Sequence, residues 1–245
     1  MRACNVLSFK KAYGKIQPKK INHLTPDEKN TIIPSFFLNF SCKKDDHYTE
    51  TITKGSKWGI KIGSTPPVVY KQLQELAIEK GFSQAAVVYR QHFSKPQEIQ
   101  NHLSLYQIIT LQNSSGAVER AIIRFNEHTI TSIEAGGALP AEIIKWPQDA
   151  SDETAIHKND PVELLYTKLL KVFQMPGYGS WKIILPDKPL SLPFDPDMAN
   201  YPQWAFSFSE DIAPGKRGSS SVRLFFRNGK LSKIEHNYDE SKFVD

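Results

Sequence analysis

The sequence predicts an α+β protein made of two tandem repeats, each a helix packed on an antiparallel sheet of three to four strands. Three observations lead there. Two segments place apolar residues at helical spacing: Val69, Leu73, Leu76 and Ala77 in one, and Val162, Leu165, Tyr166, Leu169 and Phe173 in the other. Each is followed by short runs rich in β-branched and aromatic residues. The closing hairpins also correspond, because Phe125, Ile130, Thr131, Ile133 and Glu134 have the spacing of Phe226, Leu231, Ser232, Ile234 and Glu235. Tyr70-Lys71-Gln72-Leu73 likewise parallels Tyr166-Thr167-Lys168-Leu169. A period near a hundred residues suggests a duplicated unit.

The first repeat is assigned to residues 58–138. Trp58 to Gly63 is a strand-like entry, Ser64 and Thr65 are capping candidates, and Pro66-Pro67 open a helix that runs to Gly81. Strands are expected at Ala85 to Tyr89, Leu105 to Leu111 and Val118 to Phe125, the last returning through Ile130 to Glu134. The polar, proline-bearing stretch 139–159 reads as a linker. In the second repeat, 160–245, Asp160 caps a helix that starts at Pro161, with Glu163 as reciprocal partner. Strands follow at Trp181 to Leu185, Gln203 to Ser209 and Ser221 to Arg227, and Asn228-Gly229 turns the chain into Lys230 to Tyr238.

Ahead of the repeats, residues 1–41 read as an export leader and 42–57 as a tether. Six lysines and Arg2 precede the apolar run Ile32 to Phe40, which is too short to span a membrane. Leu38-Asn39-Phe40-Ser41-Cys42 resembles a lipobox, the signal in which the cysteine is acylated and becomes the new N-terminus. This resemblance implies an outer-membrane lipoprotein of a cell envelope, lipidated at Cys42 and held to the membrane by that anchor. The competing reading makes Ile32 to Phe40 a buried strand. The leader holds seven of the 31 basic residues and two of the 26 acidic ones, so the remainder carries 24 of each. A neutral body has no general attraction for a phosphate backbone, and no nucleic-acid partner is expected.

The chain shows no spacing that announces chemistry. His-Glu-x-x-His, Gly-x-Ser-x-Gly, a phosphate-cradling glycine loop and paired cysteines are all missing from it. Pro214 to Ser220 shares letters with a phosphate loop but leads into no helix, so it reads as a hairpin tip. His92, His102, His128, His157 and His236 are scattered, with only His102 and His128 placed to approach one another. Asp187, Asp195 and Asp197 lack the rest of a calcium loop. No catalytic residue, metal or cofactor is therefore expected, and a hydrolase built on the histidines is the weakest alternative.

Alternation along the late strands offers a binding surface instead. Trp204, Phe206 and Phe208 fall on one face and are expected in the core. On the next strand Val222, Leu224 and Phe226 point inward, leaving Arg223, Phe225 and Arg227 outward, with Ile122 and Arg124 at the corresponding face of the first repeat. An exposed Phe between arginines suits an interface; the competing reading packs Phe225 under a loop or the other repeat.

Gly59-Ile60-Lys61-Ile62-Gly63-Ser64-Thr65-Pro66 before a helix, and Phe226-Arg227-Asn228-Gly229-Lys230-Leu231 in a hairpin, give the chain a pattern similar to the beta-lactamase inhibitor protein and the BamE-type outer-membrane lipoproteins. The resemblance implies tandem helix-on-sheet modules that bind an envelope protein or peptide through an open sheet face, without catalytic residues. The alternative function is a small-molecule or lipid carrier with a pocket between helix and sheet.

Overall fold

The computed structural model describes residues 46–113 and 119–242. Cys42 and the proposed leader lie outside the described residues. The elements in order are β1 (His47–Ile52), β2 (Ser56–Lys57), β3 (Ile60–Lys61), α1 (Pro66–Lys80), β4 (Gln84–Val87), β5 (Ile108–Asn113), β6 (Glu119–Phe125), β7 (Ile130–Gly136) and β8 (Ala141–Ile143). They continue with β9 (Lys145–Trp146), β10 (Ile156–His157), α2 (Glu163–Gln174), β11 (Lys182–Ile184), β12 (Lys188–Pro189), β13 (Gln203–Ala213), β14 (Lys216–Arg227) and β15 (Lys230–Lys242).

Local chemistry accounts for most element ends. Prolines occupy the first turn of α1, where their missing N–H groups have no helical partner anyway. Gly81 ends it in the left-handed region at φ 71°, donating its N–H to the Ala77 carbonyl. Asn228 and Gly229 adopt φ of 52° and 68°, the turn their side chains permit, and Arg227 pairs directly with Lys230. Asp160 does not cap α2: its carboxylate accepts from the His157 N–H and the Lys168 ammonium, each at 2.7 Å, and the helix begins at Glu163.

The chain is mostly β, and the expected pair of tandem helix-on-sheet repeats is not what it forms. Two large antiparallel sheets dominate, one of six strands in the order β1-β15-β14-β13-β4-β12 and one of five in the order β11-β5-β6-β7-β8. The helices are exchanged between them. The α1 stripe of Val69, Tyr70, Leu73 and Leu76 shares a core with Trp204, Phe206, Phe208, Val222, Leu224 and Ile234 of the six-stranded sheet. The α2 stripe of Leu165, Leu169 and Val172 shares another with Ile109, Leu111, Ile123 and Ile133 of the five-stranded sheet. The strand after each helix follows the same crossing, β4 pairing with β13 and β11 with β5. Periodicity shows which stripe of a helix is apolar but not which sheet receives it, so sequence adjacency misassigned both helices.

The segments read as tether and linker carry structure too. β1, inside 42–57, pairs with β15 along its whole length, from His47 opposite Asp239 to Ile52 opposite Ile234. Stretch 139–159 holds β8, β9 and β10 and buries Trp146, Ala150, Ala155 and Ile156. All described residues belong to one compact unit. The two hairpins compared by spacing do share a local geometry. Phe125 pairs with Ile130 and Phe226 with Leu231, each after a register shift at the preceding residue.

Candidate functional site

Both helices cover one face of their sheet, which leaves the other face of each open. On the six-stranded sheet the core residues Trp204, Phe206 and Phe208 alternate with Ala205, Ser207 and Ser209. Register then builds the open face in rows. Ala205 lies between Ala86 and Arg223, Arg223 faces Glu235, Ser207 faces Ser221, and Ser221 faces Asn237, itself opposite Thr49. Small side chains at the centre make a shallow trough of about 640 Å³. On the five-stranded sheet the same alternation presents Ile108 and Thr110 of β5 beside Arg124 and Ile122 of β6, with Glu134 of β7 and Ile184 of β11 in the adjoining rows. Ile108, Ile122 and Ile184 are each half-buried, so this face has an apolar centre.

The two open faces adjoin. Ser83, Gln84 and Asp187 line the trough on the large sheet and also the recess beside Gln107 and Ile108 of the smaller one. A polar recess on the large sheet thus adjoins a recess at the Ile108 edge of the smaller one.

Every outward residue anticipated from the sequence lies on or beside these faces. Arg223 and Arg227 are exposed, and neither side chain forms a hydrogen bond or ion pair with another described residue. Phe225 is half-buried, its ring capped by the Lys233 ammonium at 3.9 Å. Ile122 is half-buried, and Arg124 reaches Glu134 at 3.3 Å through its Nε. Cys42, the anticipated lipidation site, is outside the described residues.

The strongest cluster of titratable groups was not anticipated, and it lies between the two hydrophobic cores. Asp195 is fully buried ahead of β13. Its Oδ2 accepts from Arg90 at 2.6 Å and Tyr106 at 2.7 Å, while its Oδ1 accepts from His102 at 3.1 Å and the Asp197 N–H at 3.0 Å. Arg90 also binds Asp197 at 2.9 Å and donates to the Tyr106 hydroxyl. Burial alone would raise the Asp195 carboxyl, but the donors His102, Arg90 and Tyr106 outweigh it and hold it well below the usual carboxylate range. Because the carboxylate only accepts, His102 must carry its proton on Nδ1.

Nearby, Lys188 is fully buried, with its ammonium on the Leu105 carbonyl at 2.7 Å and over the Tyr106 ring at 5.1 Å. Burial pushes it down to about 8. The only sequence cue to this cluster is Asp195-Pro196-Asp197, a cap and proline opening a short 3-10 turn. Arg90, Tyr106 and Lys188 are brought to it by tertiary packing.

Chemically the cluster is spent. Both Asp195 oxygens already accept two donors, so no lone pair is directed at a metal or substrate. The recess beside His102 and Asp195 is lined by Asn101, Leu105, Phe194, Pro196 and Asp197, with no hydroxyl or thiol for the pair to activate. Asp195 and Asp197 are bridged by the Arg90 guanidinium, while Asp187 sits apart on the open sheet surface. His128 lies in the β6–β7 turn and His102 on the Asp195 cluster. Among the described residues no group of three or more His, Cys, Asp or Glu is placed to hold a metal ion, and no helix is long and apolar enough to cross a membrane. No protein-family model, curated protein or solved structure matches the chain.

Proposed function

We propose that the protein is a non-catalytic binding module that holds an acidic protein or peptide segment on its joined open sheet faces. The observation that carries this reading is the meeting of the two recesses on these faces at Ser83, Gln84 and Asp187, with Arg223 lining the trough there and Arg227 exposed farther along the same strand, both side chains unpaired. Small Ala and Ser side chains let a partner backbone approach the six-stranded sheet closely, while Ile108, Ile122 and Ile184 offer apolar contact on the other. Arginines left without internal partners lose no native ion pair on binding carboxylates and gain charge-assisted hydrogen bonds. The alternative carrier with a pocket between helix and sheet finds the middle of both interfaces filled by aliphatic and aromatic side chains, with room only at the N-terminal end of α2.

The proposed setting is a cell envelope, with the module tethered through a lipid on Cys42. That part rests on the lipobox-like segment alone. One experiment addresses both parts: co-purification from envelope membranes after labelling with a radioactive fatty acid, comparing the native chain with Arg223→Ala/Phe225→Ala and with Cys42→Ala. The first variant should fold normally, incorporate label and lose the partner, and the second should lose label. An unchanged partner set in the first rejects the binding surface, whereas persistent label in the second rejects the anchor.

A further inference from the structure

At the N-terminal end of α2 the chain forms an open recess of about 540 Å³, separate from the open sheet faces. Leu103, Tyr106, Phe125, Val162, Tyr166 and Leu192 give it apolar and aromatic walls. Two of those walls are fixed from behind. The Tyr106 hydroxyl is held by Asp195 at 2.7 Å, and the Leu192 carbonyl accepts from the Tyr70 hydroxyl at 2.8 Å. The shape is therefore set before anything enters, which lowers the ordering cost of binding.

The polar groups at its mouth are unspent. Glu127, Glu163, Gln100 and Gln107 border the recess, and none of their side chains makes a hydrogen bond or ion pair with another described residue. No lysine, arginine or histidine lines it. Elsewhere Asp152, Asp160, Asp195, Glu210 and Glu240 each have a basic partner. Two carboxylates without an ion-pair partner, beside the rings of Phe125 and Tyr166, favour positive ligands and repel anions, while Tyr106, whose ring already carries Lys188 at 5.1 Å and Arg90 at 5.3 Å, serves as an apolar wall.

We propose that this recess binds a small organic cation with an aromatic or aliphatic body, its ammonium between Glu127 and Glu163 and its apolar part among Tyr106, Phe125 and Tyr166. The site does not depend on the sheet-face reading and shares no residue with it except Gln107 at the border of the adjoining recess.

The test is calorimetric titration of the full chain at pH 7 with 2-naphthylmethylamine, which is protonated, and with 2-naphthoate, which has the same ring system and the opposite charge. The amine should bind saturably at one site and the carboxylate about tenfold or more weakly, the size of a modest electrostatic preference. Glu127→Gln/Glu163→Gln, both at exposed positions and so expected to fold, should weaken the amine about fivefold at partly screened sites. Tyr166→Ala should weaken it separately by removing ring contact. Absence of saturable binding, equal affinity for the two probes, or amine affinity unmoved by the double substitution each overturns the proposal.

Discussion

His236 is a buried histidine that the fold keeps neutral. Its Nε2 lies 3.0 Å from Ser220 Oγ, its Nδ1 has no hydrogen-bond partner, and its ring is enclosed by Tyr48, Trp58 and Tyr238. Burial, helped by the Lys57 charge and only partly opposed by Glu50, pushes it down to about 4. In the unfolded chain the imidazole titrates near 6.5. Between about 6.5 and about 4 the unfolded state therefore takes up a proton that the folded state refuses, so stability falls as pH falls through that window. Urea midpoints measured at pH 7 and pH 5 should drop for the native chain, and the drop should shrink in His236→Gln. An equal drop in both would assign the acid sensitivity to other groups.

At the scale of elements, the crossing of the two helices is the feature with the most consequence. Leu73 is fully buried against the six-stranded sheet, although its own sequence neighbours include the strands of the other. Leu73→Ala should cost about 2–5 kcal/mol through lost burial and the cavity left behind. Hydrogen exchange should loosen the amides of β13–β15 and leave β5–β7 comparatively protected. The reverse pattern would place α1 on the sheet that follows it in sequence. The elements themselves were largely legible: Pro66 and Gly81 bound α1, Asn228-Gly229 makes its turn, and Trp204, Phe206 and Phe208 are core. Their pairing was not, because an apolar stripe carries no address. The long strands β13–β15 also run past the sequence expectation, through polar residues such as Ser219 and Ser220 whose partners lie on neighbouring strands. Nor did apolarity mark 139–159 as core, since Trp146 and Ile156 are buried within a mostly polar stretch.

On the scale of the whole molecule, Asp195 couples two halves that have separate cores. Arg90 follows β4 in one half, Tyr106 precedes β5 in the other, and Lys188 reaches across to the Leu105 carbonyl. Removing a single buried partner strands the rest, so Asp195→Ala should destabilise by about 3–5 kcal/mol. It should also separate the unfolding of the half containing Trp204 from that containing Trp146 and Trp181, read by hydrogen exchange along the chain. A single unchanged transition would show the cluster to be dispensable. Beyond the Asp195-Pro196-Asp197 turn this network was invisible in the sequence, because its members are up to 107 positions apart and no local pattern links them. The outward residues of the open faces were legible by strand alternation. The meeting of their recesses was not, since it depends on where Ser83, Gln84 and Asp187 bring the two sheets together.

The most direct test of that surface is photo-crosslinking in the native cell from a benzophenone side chain placed at Ser207, at Ile122, or at Ile78 on the exposed side of α1. The open-face account expects the same partner adduct from Ser207 and Ile122, its loss when Arg223 and Arg227 are changed to Glu, and none from Ile78. Adducts from Ile78 alone, or from all three positions alike and indifferent to the arginines, would contradict it.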